Sequence, residues 1–108
     1  MSPDPQALEE LVRGIVETAR PERIILFGSA ARDQMGPDSD LDILVVVPDQ
    51  TENCIATAQE IYHRLRELRF AKDILVVKES DFDRHRDNPY LIYHTAVTTG
   101  RELYRAAS

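Results

Sequence analysis

Gly28-Ser29, the aspartates Asp40 and Asp42, and Asp73 further along are the residues of this chain whose types and spacing can do chemistry. Asp40 and Asp42 are two residues apart, so on a strand both carboxylates project from one face at a spacing of roughly 7 Å. That spacing can straddle a pair of metal ions. Magnesium is a hard cation that takes oxygen ligands, and two such ions about 3.5–4 Å apart stabilise both the attacking and the leaving oxygen of a phosphoryl or nucleotidyl transfer. Asp73 suits a third role, completing one metal site and drawing a proton from the attacking hydroxyl. Gly28 lets the backbone approach a phosphate closely, while the Ser29 hydroxyl and the N–H groups after it can donate to phosphate oxygens. Arg32, one helical turn along, can reach the same phosphates.

The elements around these residues must deliver them to one place. Ile24 to Phe27 reads as a short buried strand ended by glycine, and Leu41 to Val47 as a second strand, apolar on both faces apart from Asp42 and stopped by Pro48. Asp4-Pro5 is an N-cap followed by proline at the first helical position, and Leu8, Leu11, Val12, Ile15, Val16 and Ala19 continue an amphipathic helix up to Pro21. Ser29 to Gln34 predicts a short helix opening at the phosphate turn, and Gly36 to Ser39 a loop. Asp49 and Glu52 have the spacing of a capping box. Ile55, Ala58, Ile61, Tyr62, Leu65 and Leu68 then mark the buried face of a long helix. A third strand is expected at Asp73 to Val77, a helical turn at Asp81 to Arg86, a cap at Asn88-Pro89, a helix from Leu91 to Thr98 ended by Gly100, and an edge strand at Glu102 to Tyr104. A single site built from these parts requires the first two strands to run antiparallel. The long helix permits a crossover that sets the third strand parallel to the second, which brings Asp73 to the same sheet edge. The expected fold class is α/β (α+β), a small mixed sheet flanked by helices.

The 108 residues suit one domain spanning 1–108, with no repeats, linker or low-complexity segment. Hydrophobic residues at 43% and charged residues at 30% are those of a soluble globular chain, and no apolar run approaches the roughly 20 residues of a membrane helix. The start, Met-Ser-Pro-Asp-Pro, lacks the features of a signal peptide, and a lone Cys54 excludes an internal disulfide or a thiolate zinc site, so a cytoplasmic protein is expected. A formal net charge of −6 argues against a surface that holds long nucleic acid. Small anionic substrates remain open to it when metal ions supply the positive charge. Gly-Ser is also a common turn, and Asp-x-Asp a common solvated strand start. The flanking strands and the third aspartate are what set this set apart.

The segments Leu26-Phe27-Gly28-Ser29-Ala30-Ala31-Arg32 and Ser39-Asp40-Leu41-Asp42-Ile43-Leu44-Val45 closely resemble the nucleotidyltransferase superfamily that includes DNA polymerase beta. Within it the chain is similar to the minimal nucleotidyltransferase (MNT) proteins. The resemblance covers nearly the whole chain, through Asp73-Ile74-Leu75-Val76 to Gly100-Arg101-Glu102-Leu103-Tyr104, which is similar to the family's Gly-x-x-Leu-Tyr ending. It implies a polymerase beta-like fold, with Asp40 and Asp42 binding two Mg2+ ions, Asp73 as third carboxylate and Gly28-Ser29 holding ATP. Asp33 stands where many relatives have glycine, and Ala30 where arginine is frequent. MNT proteins are typically paired with a helical HEPN-domain toxin. The resemblance therefore implies an antitoxin that transfers AMP from ATP to a tyrosine hydroxyl of that partner, releasing pyrophosphate. Two alternatives stand beside it: an antitoxin that acts by binding alone, and a nucleotidyltransferase of small molecules such as aminoglycosides, which needs an acceptor pocket completed by a dimer.

Other residues carry less. His63, His85 and His94 fit no zinc spacing and read as surface or packing groups. Tyr90, Tyr93 and Tyr104 read as completing the core, with a partner-binding patch as the alternative. Arg64, Arg66, Arg69 and Lys72 read as the solvated side of a helix and its exit, or as a contact with an acidic or RNA-bound partner.

Overall fold

The computed structural model describes residues 4–28 and 40–107. The expected short helix at 29–34 and the loop at 36–39 lie outside the described residues. In chain order the elements are α1 (Pro5–Ala19), β1 (Arg23–Phe27), β2 (Leu41–Val47), α2 (Cys54–Arg64), β3 (Lys72–Lys78), α3 (Glu79–His85), α4 (Ile92–Thr99) and β4 (Arg101–Arg105).

Strand order in the sheet is β3-β2-β1-β4. β1 pairs antiparallel with β2 and with β4, while β2 and β3 run parallel, joined by the α2 crossover. The directions required for one shared site are therefore present. β2 is central and covered on both faces, which is why its sequence is apolar on alternate residues of both kinds. Leu41, Ile43, Val45 and Val47 face a core built with α1 and α2 residues such as Leu11, Ile15 and Ile61. Leu44 and Val46 face a second core with Ile25, Phe27, Val77, Phe82 and Ala96, the last two contributed by α3 and α4.

α1 starts where the sequence places it, with the Asp4 side chain accepting from the Gln6 N–H and Pro5 at the first position. It ends on Arg20, whose left-handed φ of 46° turns the chain before Pro21. α2 departs from expectation. Its N-cap is Asn53, which accepts from the Ala56 N–H at 3.0 Å, rather than Asp49 of the expected capping box. The Asp49 carboxylate is used elsewhere, accepting from the Ser80 N–H at the start of α3. Ile55, expected on the buried face, is 74% exposed, and the helix stops at Arg64, leaving buried Leu65 in the turn that follows. α3 begins at Glu79, before the expected Asp81, and Gly100 ends α4 without a left-handed turn, at φ −79°. Close approach explains that glycine: a Cβ there would run into the Ala96 carbonyl and lie 2.7 Å from Ile25 Cγ2. Tyr90 does not join the core, being 93% exposed, whereas Tyr93 and Tyr104 pack against it. Among the described residues no helix is long and apolar enough to cross a membrane.

Candidate active site

Three strand ends meet at one edge of the sheet. The antiparallel β1–β2 pair sets Phe27, the last residue of β1, opposite Asp42, so the Gly28 turn opens beside that carboxylate. The parallel β2–β3 pair sets Asp42 directly opposite Asp73. Cross-strand partners share a face, and Asp42 alternates with Leu44 and Val46, so Asp42 and Asp73 stand on the α3/α4 side of the sheet at the end those helices leave uncovered. Asp40 and Asp73 are exposed and Asp42 is half-buried. Leu75, next after Asp73 on the same face, is 37% exposed, so the shelf beside the carboxylates is open.

The electrostatics follow from that crowding. Burial pushes the Asp42 carboxyl above the ordinary carboxylate range, and the negative charges of Asp73 and then Asp40 push it further in the same direction. No described cation offsets this: Lys72, the nearest in sequence, turns its ammonium back onto the carbonyls of Leu68 and Phe70, and burial lowers its pKa. Lys72 thus does not belong to the solvated basic cluster that the sequence predicts. Arg64 of the same cluster pairs with Glu17 of α1 at 2.8 Å, tying the two helices together.

Gly28 has a φ of 74°, a left-handed conformation that favours glycine. A Cβ built there would run into the Asp42 carboxylate, with Asp42 Cγ at 3.2 Å. The residue is therefore required twice, for the turn and for the space next to Asp42. Of the residues expected at the site, Gly28, Asp40, Asp42 and Asp73 come together at this edge; Ser29 and Arg32 lie outside the described residues. Among the described residues no three of His, Cys, Asp and Glu form a ready-made metal cage. The donor set nonetheless fits a hard divalent ion: all donors are carboxylate oxygens, and their mutual repulsion is what a cation relieves. Magnesium is ordinarily held by one or two carboxylates together with substrate phosphates rather than by an all-protein cage. An open edge with spread carboxylates matches that mode.

Two residues that bear on this edge escape sequence reasoning. Tyr62, read as part of the buried face of α2, lends its hydroxyl to the Ile74 N–H, and Lys72 fastens the turn before Asp73. No local pattern signals either, because both contacts join residues to a backbone whose path depends on the sheet.

Among the described residues a mixed four-stranded sheet is flanked by four helices, with carboxylates at the heads of two parallel strands and a glycine turn ending the antiparallel one, and this is the architecture of the polymerase beta-like nucleotidyltransferases. The family model for the nucleotidyltransferase domain matches residues 8–93, and the chain belongs to that family. Among solved structures it is similar to a toxin–antitoxin crystallised with AMP-PNP, at 22% identity and a TM-score of 0.60, covering 92% of this chain and 73% of the other. A mutant form of the toxin–antitoxin MntA-HpeT matches with 19% identity, a TM-score of 0.59 and the same coverage of 92% and 73%. A candidate nucleotidyltransferase from Sulfolobus solfataricus is 22% identical, with a TM-score of 0.50, over 95% of this chain and 90% of the other. At these identities the likeness is one of fold. Among curated proteins none matches.

Proposed function

We propose that this nucleotidyltransferase is the antitoxin of a toxin–antitoxin pair and transfers AMP from ATP to a tyrosine hydroxyl of a HEPN-domain toxin. The observation that carries the chemistry is the register of Asp42 against Asp73 beside the Gly28 turn, with the charges of Asp73 and Asp40 crowding a half-buried Asp42. The partner class is supported by fold neighbours that are toxin–antitoxin proteins, one of them crystallised with AMP-PNP. The exposed shelf at Asp73 and Leu75 supports an acceptor brought by another protein, since nothing in the described chain roofs it.

In this reading Asp40 and Asp42 hold two Mg2+ ions, with Asp73 as third ligand. The ions, when bound, supply charge neutralisation of the triphosphate and of the developing oxyanions. Asp73 accepts the proton of the tyrosine hydroxyl as that oxygen bonds to the α-phosphorus and the bond to pyrophosphate breaks. Gly28 allows close approach of backbone to phosphate, and Ser29 and Arg32 complete the phosphate contacts. The use of ATP and the lone thiol of Cys54 support a cytoplasmic setting for this reaction.

The test is incubation with ATP, Mg2+ and the purified product of the neighbouring gene, followed by intact mass and peptide mapping. The expected result is AMP on a tyrosine of that partner with the wild-type chain and none with Asp42→Asn. A variant with all three aspartates changed to asparagine that still neutralises the toxin at equal expression would instead establish an antitoxin acting by occupancy.

A further inference from the structure

β3 carries Asp73, yet it is an outer strand, so one side of its backbone has no neighbouring strand to hold it. At that open side the Ile74 N–H, the peptide group next to Asp73, donates to the Tyr62 hydroxyl of α2 at 2.7 Å. A side chain takes the place of the missing strand. On the other side of Asp73, Lys72 Nζ donates to the carbonyls of Leu68 at 2.9 Å and Phe70 at 3.3 Å, and its ammonium lies 5.0 Å from the centre of the Phe70 ring. The same turn reaches β2: the Leu41 N–H, between Asp40 and Asp42, donates to the Ala71 carbonyl at 3.0 Å.

We infer that Tyr62 and Lys72 are positioning residues for Asp73, which hold its strand end in register against Asp42. The contact is part-buried, so the Tyr62 hydroxyl satisfies a peptide N–H that no strand pairs and in doing so ties the backbone beside Asp73 to α2. What the bond does is fix the backbone beside a carboxylate whose usefulness depends on sub-ångström placement. Lys72 acts from the other side by closing the turn that also carries the Leu41 contact. A carboxylate on a strand braced at both neighbours keeps its distance to its partner; on a free edge it would drift with fraying.

The inference rests on the metal and nucleotide reading of Asp73, and its test reads binding rather than transfer. The intact chain is titrated with the Mn2+ complex of a non-hydrolysable ATP analogue, followed by water proton relaxation, while amide hydrogen exchange is recorded at Ile74. Tyr62→Phe keeps the ring and loses only the hydroxyl; Lys72→Met keeps the stem and loses the ammonium. Each is expected to weaken the Mn2+ complex about tenfold, the lower end for losing an outer-shell partner, and Tyr62→Phe to speed exchange at Ile74. Asn53→Ala is the control, because it removes the cap of the same helix and lowers stability without touching β3. Its binding is expected to equal wild type. The inference is overturned if Tyr62→Phe binds within about twofold of wild type, or if Asn53→Ala weakens binding as much, which would mark a merely structural effect. Wild-type chain that binds the Mn2+ complex but adds no AMP to the partner sinks the adenylyl-transfer reading and leaves this inference supported by the variant affinities; wild-type chain that binds no complex overturns it.

Discussion

At Gly28 two constraints coincide, a φ of 74° and the Asp42 carboxylate where a side chain would go. Gly28→Ala meets both. The left-handed backbone alone costs about 1–3 kcal/mol for a non-glycine residue, measurable as a lowered urea midpoint, and displacement of Asp42 is expected to abolish AMP transfer. Asp42 itself is the opposite case. It holds a half-buried negative charge against two others, so in the metal-free protein it works against the fold. Asp42→Asn is therefore expected to raise the melting temperature of the metal-free chain at neutral pH while eliminating transfer. Differential scanning calorimetry with and without the Mn2+–nucleotide complex checks both sides, since only the wild type should gain stability from the ligand.

Among the elements, β4 is held to β1 by a small charge network as well as by its ladder. Glu102 Oε1 accepts from Arg23 Nε and from Arg105 Nε, each at 2.9 Å. Burial alone would raise the Glu102 carboxyl, but the hydrogen bonds from Arg105 and Arg23 outweigh it and hold it below the usual glutamate range. A carboxylate depressed in the folded state adds stability above its unfolded pKa and loses it as pH falls through the folded value. Glu102→Gln is thus expected to cost no more than about 1 kcal/mol at pH 7, solvent screening keeping it small. The difference from wild type should vanish well below the ordinary glutamate value of about 4.3, as read from denaturant midpoints across pH.

On the scale of the whole molecule, the sheet separates two cores, and the site occupies the end of one face that α3 and α4 leave bare. The opposite face, under α1 and α2, is where a packing defect can be made without touching the chemistry. Leu11 is fully buried there, and Leu11→Ala is expected to cost about 2–5 kcal/mol in urea unfolding. AMP transfer per folded molecule should be unchanged, because the altered layer lies across the sheet from Asp42 and Asp73. The cleft between α1 and α2, lined by Glu10, Arg13, Arg64 and Leu68, lies on that same layer.

The sequence by itself determined what local chemistry decides. β2 as a central strand, α1 with its Asp4 and Pro5 start, the β1 turn at Gly28 and the aspartates at strand heads are legible because burial pattern, capping and turn preference act over a few residues. The strand directions were legible too, since a shared site admits only one arrangement with this crossover. Tertiary structure decided what depends on partners far along the chain. Asp49 has the spacing of a helix cap, but Ser80, which lies far away in sequence, takes its carboxylate, and Asn53 caps α2 instead. Ile55, on the first turn of α2, faces solvent although its spacing is that of a core residue. The register that sets Asp42 against Asp73, and the Tyr62 hydroxyl on the neighbouring peptide, likewise exist only once α2 has crossed over and the sheet has formed. Hydrophobic period has no memory of such distant pairings, because it reports which face is buried and not which residue stands opposite.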